Sequence, residues 1–477
     1  MDDHELRQLR IECVNELKSF VSFFNIGGVD HTHGGFCCGL SHAGKRLTDQ
    51  KFVWFNGRGV WTYARLHRSG LLAHEPAPPH ADAHSDGMQG YLLQVAERAA
   101  AFAIEHGRDS SGAWIVELSG DGQRVYAPAE PGYIPTTGYG SAFVAEGLAE
   151  YALAKHDAAA FALAVELLRA FVTMMDDPSR RGDVSAAWTA YPGMRGLGHH
   201  MIALNLTRQL LLITDAAESD ASVAALVEAT QRVAPLASEL RALSDRMVDC
   251  ILHKFMHPEF GLVCELLAHD YSRPDDANED LCYIGHSIET LWMVMAEAER
   301  RADEALYARA ARLFHRHVEV AFDSVCGGYF RALRLRSHAY FLDGDCKVKW
   351  AQDEVLVGCA MILCHKPAPP PYSDGAGEWA PALDGAELQR WAAATIRRLR
   401  AYLDAHFKLP AWPGSWKVGG DRFVKPDPDP GTAVSGYNMG CTSLPNRVEH
   451  YHHPRMLLSL VASADRALAA STRGLRW

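Results

Sequence analysis

Apolar positions recur with helical spacing in twelve segments of the chain, and these segments alternate between two kinds. Six segments are apolar nearly all round, which is typical of buried helices; they span residues 52–66, 139–154, 199–213, 285–298, 352–363 and 453–468. The six others carry polar residues on one face, which predicts half-exposed helices; they span residues 5–24, 90–105, 158–175, 233–255, 303–322 and 385–407. This alternation predicts an all-α fold, an (α/α)6 barrel with an inner ring of six helices inside an outer ring of six.

Short glycine-aromatic stretches flank several of the half-exposed segments. They lie at residues 33–40, 111–118, 259–266 and 326–333. Each predicts a short strand entered through a glycine turn, and together they should cluster on one rim of the barrel. The proline-rich stretch 366–379 predicts a surface loop, and the composition does not change across it. We therefore expect one domain that spans residues 1–477.

Charge and composition exclude several classes of protein. The 47 Lys and Arg residues are outnumbered by 58 Asp and Glu, and this balance argues against a partner made of nucleic acid. No apolar run is long enough for a membrane-spanning helix, and the N-terminus lacks the pattern of a secretory signal, so we expect no membrane association. The 11 cysteines are scattered without a CxxC pair, which favours free thiols and a cytoplasmic location.

Polar and aromatic residues open the six buried segments. Because the helical hairpins alternate in direction, these residues should meet at one mouth of the barrel, where they would form a pocket for a small polyhydroxylated ligand. They are Trp54, Arg58, Tyr139, Ser141, His199, His200, His286, Glu289, Gln352, Glu354, His450, His452 and His453.

Two of these positions carry specific expectations. Arg58 lies within an apolar segment, so it should pair with a carboxylate such as Glu354 or face the cavity. His286 and Glu289 are three residues apart on one helical face, so the carboxylate can hold or polarise the imidazole. A single histidine at such a position is more often a helix cap or a surface group than a catalyst.

These residues allow three other interpretations. His450 and His452 alternate as zinc ligands can, but no further ligand set and no HExxH motif accompanies them, so we expect no metal. A glycoside hydrolase or lyase would need two carboxylates flanking the scissile bond, for which Glu146, Glu289 and Glu354 are candidates. A non-catalytic binding protein would need no paired histidines.

Several motifs in a fixed order carry a resemblance to a known family. They are HGGF (33–36), KFVWFNGRGVWTYARL (51–66), SAFVAEGLAEYA (141–152), GHSIETLW (285–292), KWAQDEVLVG (349–358) and YHHPR (451–455). With these, nearly the whole chain resembles the N-acylglucosamine 2-epimerase family, whose relatives include cellobiose 2-epimerases and mannose or sulfoquinovose isomerases. The resemblance implies the same (α/α)6 barrel and an isomerase. We expect it to interconvert N-acetylglucosamine and N-acetylmannosamine or a close N-acyl analogue. The alternative is an isomerase or 2-epimerase of free mannose, glucose or fructose, or of a disaccharide.

The resemblance also implies roles for single residues. His286 in GHxxE and His452 in YHxPR match the family's two acid/base histidines, and Arg58 matches the arginine that faces C1 and C2 of the sugar. The other expected substrate-binding residues are Trp54, Tyr139, Glu289, Trp350 and Glu354. The resemblance further implies no required cofactor, ATP as an effector, and a homodimer.

Two positions depart from the family pattern. Met201 stands where the disaccharide epimerases and free-sugar isomerases carry a further histidine, as it does in the acylglucosamine enzymes. Lys349 and Trp350 replace a usual pair of tryptophans. Both departures bear on the substrate more than on the reaction.

Overall fold

The computed structural model describes residues 1–82, 86–123, 138–179, 193–276, 278–336, 347–365, 383–411, 413–416, 419–420, 448 and 450–472. These residues form thirteen α-helices, one π-helical turn and eight strands of two residues each. One large hydrophobic core includes side chains from all thirteen helices. The loop predicted at residues 366–379 lies outside the described part of the chain.

Twelve of the helices form two concentric rings, which confirms the predicted (α/α)6 barrel. The inner ring consists of α2 (Val53–Ser69), α4 (Gly138–Lys155), α6 (Leu197–Ala217), α9 (Ile284–Arg301), α11 (Lys349–Cys364) and α13 (His452–Thr472). The outer ring consists of α1 (Asp3–Gly27), α3 (Gly87–His106), α5 (Ala158–Met175), α8 (Val233–Asp249), α10 (Glu304–Ala321) and α12 (Gly385–His406). Successive inner helices contact one another, and each outer helix packs against at least one of them.

One short helix and one π-helical turn were not predicted. Helix α7 (Ala221–Glu228) lies in the connection between α6 and α8. The Asp220 side chain caps it by accepting hydrogen bonds from the backbone amides of Ser222 and Val223. After α8, the π-helical turn Cys250–Lys254 continues the same outer segment. Eight residues are too few for a clear helical period, so the pattern alone does not reveal α7.

The two ends of the chain close the ring. Helix α1 packs against the last inner helix, α13. Arg397 of α12 forms a bidentate ion pair with Glu5, and Arg400 of α12 contacts Glu12 and Glu16 of α1. The first and last helical hairpins therefore stand side by side, as the inner ring requires.

Short strands form one rim of the barrel. The pairs are β1 (Lys51–Phe52) with β2 (Glu117–Leu118), β3 (Arg195–Gly196) with β4 (Leu266–Leu267), β5 (Leu281–Cys282) with β6 (Leu333–Arg334), and β7 (Lys347–Val348) with β8 (Gly419–Gly420). Each pair joins the residues just before an inner helix to a segment that follows an outer helix. The rim thereby fixes where the inner helices α2, α6, α9 and α11 begin, and with them the side chains of their first turns.

Two buried lysines hold this rim in the same way on two sides of the barrel. Lys51 of β1 lies 2.8 Å from Asp30 and donates to the carbonyl of Gly34. Lys347 of β7 lies 2.9 Å from Asp323 and donates to the backbone of the glycine turn that follows α10. Burial alone would raise the pKa of Asp30, but Lys51 and two backbone amides lower it below its ordinary value. Each ion pair locks a glycine turn against the start of an inner helix.

Among the described helices, α5 alone is long and apolar enough to cross a membrane by length and composition. In the barrel it is an outer helix that packs against α4 and α6, with Phe161, Leu168 and Phe171 buried.

Candidate active site

Side chains from the first turns of the inner helices surround one mouth of the barrel. We call five of them the mouth residues: Trp54 of α2, Tyr139 of α4, His286 of α9, Trp350 of α11 and His452 of α13. The first four are partly exposed, and His452 is buried beside them. The pattern of helix openings predicts that four of these side chains meet, and the family resemblance adds Trp350. The rim strands make them meet, because each strand pair sets the level at which the next helix starts.

His286 is held by a carboxylate from the rim. Its Nδ1 lies 3.0 Å and 3.2 Å from the two carboxylate oxygens of Glu265. The backbone of Glu265 is fixed in turn, because its amide donates to Leu281 and its carbonyl accepts from Leu197. A carboxylate can only accept, so the neutral imidazole carries its proton on Nδ1 and keeps its lone pair on Nε2. Burial alone would lower the pKa of His286, but Glu265 raises it above the ordinary histidine value.

His452 is held by a carboxylate from a neighbouring helix. Its Nδ1 lies 2.7 Å from Oε1 of Glu354 on α11. The other oxygen of Glu354 accepts a hydrogen bond from Trp292 at 2.7 Å. Arg455, one turn along α13, donates to Glu354 at 2.7 Å and lies 3.0 Å from His452 Nδ1. The carboxylate behind His452 is therefore shared with a guanidinium, whereas no described cation contacts the carboxylate of Glu265.

A buried ionic layer lies beneath the mouth residues. Arg455 donates to Glu289 at 2.5 Å as well as to Glu354, and its other amino group donates to the Tyr451 hydroxyl at 3.0 Å. Tyr451 donates to Glu146 at 2.6 Å. Burial raises the pKa of Glu146 and of Glu354, and Arg455 acts against it in both. We call Glu146, Glu289, Glu354, Tyr451 and Arg455 the ionic layer.

Aromatic rings and one guanidinium complete the walls. The Trp350 indole lies between the two histidines, with ring centroids 5.6 Å from His286 and 5.5 Å from His452. The guanidinium of Arg58 stacks 4.0 Å from the centroid of Phe143 and 5.2 Å from that of Tyr451. This arrangement places one indole between two imidazoles, with the guanidinium of Arg58 close enough for its charge to act on His286.

Comparison with known proteins identifies the family. Residues 79–422 match the family model described as N-acylglucosamine 2-epimerase (GlcNAc 2-epimerase). The chain belongs to this family. It is 23% identical to the N-acylglucosamine 2-epimerase of Bos taurus over 381 residues, which cover 76% of each chain. The match to the Homo sapiens N-acylglucosamine 2-epimerase is 43% identical but spans 54 residues, 11% of this chain and 13% of the human protein.

A solved structure extends the likeness over nearly the whole barrel. The cellobiose 2-epimerase from Bacillus thermoamylovorans superimposes with a TM-score of 0.67 at 14% identity, covering 96% of this chain and 99% of that one. At this identity the likeness shows the fold. The predictions of the N-acylglucosamine 2-epimerase family, of the barrel and of an isomerase are confirmed.

In this family member, hydrogen bonds tie Glu289 and Glu354 to residues that the sequence alone did not indicate. Glu289 pairs with Arg455, while Glu265 is the hydrogen-bond partner of His286; Glu289 acts on His286 through its charge, which raises the pKa of the histidine. Glu354 is bonded to Trp292, His452 and Arg455. Both carboxylates lie in the buried ionic layer, and a direct contact of either with a sugar stays a prediction.

The sequence predicts that the neighbouring histidines of α6 face the mouth, but the structure buries both of them among aromatic side chains. The ring of His199 packs between Tyr139 and Phe171, and it is buried. His200 is buried against Phe255 and Tyr271, and its Nδ1 lies 3.0 Å from the carbonyl of Gly196. Burial lowers the pKa of His200 to about 3, so this histidine is a neutral core residue.

The two positions that depart from the family pattern also turn away from the mouth. Lys349 donates to Asp353 at 2.7 Å and lies 2.9 Å from His453, while its ammonium sits 4.6 Å from the centroid of Trp416. Met201 belongs to the hydrophobic core. Lys349 therefore packs on the outer side of the ring, whereas Trp350 alone enters the site.

Metal binding through His450 and His452 does not fit the geometry. His450 Nε2 donates to the carbonyl of Phe55 at 2.6 Å, so its ring points into the core, away from His452. Glu289, Glu354 and His452 do bring ligand atoms within 4.8 Å of one another. Because Arg455 contacts all three, its guanidinium already supplies the positive charge that they surround.

Three residues of the site were missed or given no role in the sequence. Glu265 lies in a stretch interpreted only as a rim strand, and Tyr451 and Arg455 lie in a motif, YHHPR, interpreted only through His452. A signal existed for Arg455, because a buried arginine three residues after a buried histidine requires nearby carboxylates. No spacing rule points to Glu265, which precedes its partner by 21 residues.

Proposed function

We propose that the protein is a sugar 2-epimerase that interconverts N-acetylglucosamine and N-acetylmannosamine, or a close N-acyl analogue, by moving a proton at C2. The observation that carries the proposal is the pair of carboxylate-backed imidazoles on either side of Trp350. A neutral imidazole is a suitable base near neutral pH, and each ring presents Nε2 when Nδ1 faces a carboxylate.

The reaction requires an open-chain sugar, because the C2 proton is acidic only beside the C1 aldehyde. One imidazole takes the C2 proton on its Nε2, the C2–H bond breaks, and its electrons form an enolate with the negative charge on O1. Arg58 supplies a fixed positive charge for that oxygen. The second histidine, as an imidazolium, then delivers a proton to the opposite face of C2, which inverts the centre.

Neither electrons nor hydride are exchanged with a cofactor in this scheme, because substrate and product are at the same oxidation level. We further propose that the protein requires no cofactor, responds to ATP as an effector, forms a homodimer and is cytoplasmic. Analytical ultracentrifugation with and without ATP tests the homodimer and the nucleotide together.

A glycoside hydrolase is not favoured by the described residues. The three candidate carboxylates, Glu146, Glu289 and Glu354, are buried and bonded within the ionic layer. An acid and a base for glycoside hydrolysis must instead flank the scissile bond at the open site. Epimerisation or aldose–ketose isomerisation of a free sugar or a disaccharide keeps the same two histidines, and the substrates below distinguish it.

The proposal is tested by incubating the protein with N-acetylmannosamine, and separately with mannose, in D2O. We expect N-acetylglucosamine to form with deuterium at C2, because an imidazole that has taken the proton exchanges it with solvent. Proton NMR of the C2 position follows both events.

Other outcomes select other functions. Formation of fructose from mannose, with N-acetylmannosamine untouched, would select the free-sugar isomerase. Turnover of cellobiose alone would select a disaccharide epimerase. If no deuterium enters any of these sugars, proton transfer at C2 is not the activity of this site.

Replacing Glu265 by Gln should reduce kcat about 100-fold, because the amide no longer fixes the tautomer of His286. Glu265 raises the pKa of His286, so its loss lowers that pKa. In the direction where His286 is the base, the acid limb of the pH profile should move to lower pH. In the reverse direction, where His286 is the acid, the alkaline limb should move the same way.

Glu279→Gln is the matched control for this variant. Glu279 also contacts a buried histidine, because its carboxylate lies 3.0 Å from Nε2 of His257 on the rim. That pair is not part of the mouth, so its loss should leave both limbs of the profile in place. An unshifted profile in the Glu265→Gln variant would reduce the Glu265–His286 contact to a structural one.

A further inference from the structure

Among the described residues, α6 is the inner helix whose first turn contains none of the mouth residues. In each of the other five helices, one of the first three residues is a mouth residue with a large ring. The corresponding residue of α6 is Gly198, the second residue of that helix. Since α6 stands between α4 and α9 in the inner ring, the ring of side chains has a gap between Tyr139 and His286.

The width of the gap follows from the position that a Cβ atom on Gly198 would take. A Cβ on Gly198 would lie 3.4 Å from Cε1 of His286 and 3.5 Å from the hydroxyl of Tyr139. These are ordinary contact distances, so one methyl group would fit without displacing either ring. The position of residue 198 therefore faces His286 and Tyr139, two of the mouth residues.

The gap lies next to the atom that is proposed to carry the proton. Cε1 of His286 is bonded to Nε2, and the Nε2 lone pair acts on the hydrogen at C2. When Nε2 acts on that hydrogen, C2 and its substituent lie close to Gly198. A hydroxyl group would leave the space unfilled, whereas a planar acylamino group extends several atoms from C2 and needs room beside the base.

We propose that Gly198 is a specificity-determining residue, whose missing side chain makes room for an acylamino substituent at C2 of the sugar. The inference rests on the proposed 2-epimerase function and names the substrate class of the same site. It predicts that a side chain at residue 198 discriminates against N-acylated sugars and spares sugars with a free C2 hydroxyl.

The variants Gly198→Ala and Gly198→Val test this on the full chain. Gly198 is helical, so alanine should leave the melting temperature unchanged or raise it. With N-acetylmannosamine we expect kcat/KM to fall about 10-fold for alanine and about 100-fold or more for valine, mainly through KM. With mannose we expect less than about a 3-fold change. Dissociation constants from calorimetry replace kinetics for any sugar that binds without turnover.

Gly385→Ala is the matched control, since it makes the same substitution in the first turn of the outer helix α12. It should leave the kinetics with both sugars unchanged. An equal loss for both sugars in a folded Gly198→Val protein would overturn the inference, since the position would then serve the histidine rather than the substituent. Unchanged kinetics with N-acetylmannosamine would also overturn it.

The inference and the proposed function fail in different ways. If the unaltered protein epimerises N-acetylmannosamine and the Gly198 variants do not discriminate between the sugars, the function stands and the specificity role falls. If the unaltered protein turns over mannose alone, the acylamino substrate class falls while proton transfer at C2 stands. If it neither binds nor turns over either sugar, both proposals fall.

Discussion

We expect His286→Asn and His452→Asn each to lose epimerisation of N-acetylmannosamine by about 10²–10⁴-fold, because inversion at C2 requires an acid or base on each face. The Nδ2 amide of asparagine can still donate to Glu265 or Glu354, so the buried carboxylates keep a partner and the fold is retained. The two variants should differ in D2O, since a single remaining base can remove a proton and return a deuteron on its own face. NMR of the unreacted sugar would then show which histidine serves which epimer.

His253→Asn is the control for both variants. His253 is exposed on the π-helical turn, which continues the outer helix α8, and it contacts Asp249 at 2.8 Å. It is not one of the mouth residues. Its loss should leave turnover unchanged. Full epimerisation by either active-site variant would contradict the two-base mechanism, and circular dichroism confirms that the comparison is between folded proteins.

The second large effect is expected from Arg58→Lys, which should lower kcat about 10²–10³-fold. The guanidinium is planar and stacks on Phe143, whereas an ammonium is a point charge that can neither stack flat nor present two donors to O1. Because lysine keeps the positive charge, a loss of rate in this variant reports the geometry of the donor rather than the charge alone. Stopped assays with N-acetylmannosamine measure kcat and KM separately.

Arg65→Lys provides the matched control on the same helix. Arg65 also lies on α2, and its side chain is about half exposed, where it contacts Glu150 at 3.4 Å. The same substitution there should leave kcat unchanged. If Arg58→Lys also leaves kcat unchanged, the guanidinium stabilises the stack with Phe143 and Tyr451 and takes no part in the reaction.

The rings of the barrel could be predicted because their cause is local. A helix that is surrounded by other helices needs apolar residues on every face, and one that faces water on one side does not. The twelve predicted segments match twelve observed helices for this reason. Four of the mouth residues followed from the same pattern, since Trp54, Tyr139, His286 and His452 are polar or aromatic residues that open apolar helices; Trp350 followed only from the family resemblance.

The partners of those residues could not be predicted, because they are contacts between separate parts of the chain. Glu265 reaches His286 from the rim, and Arg455 reaches Glu289 and Glu354 from another helix. The sequence alone does not distinguish one of these carboxylates from another. Only the packed structure decides which of them holds a histidine and which one neutralises an arginine.

The difference between what the sequence determined and what the tertiary structure decided is clearest at three consecutive residues of α6. The sequence by itself determined that His199 and His200, which follow Gly198, open a buried helix near the mouth, because an apolar run follows them. It did not determine which one faces the axis, since each residue turns a helix by about 100°. The strand pair β3–β4 fixes where α6 starts and therefore its rotation. That rotation directs residue 198 toward His286 and Tyr139, turns His199 onto Tyr139 and Phe171, and buries His200 against Phe255.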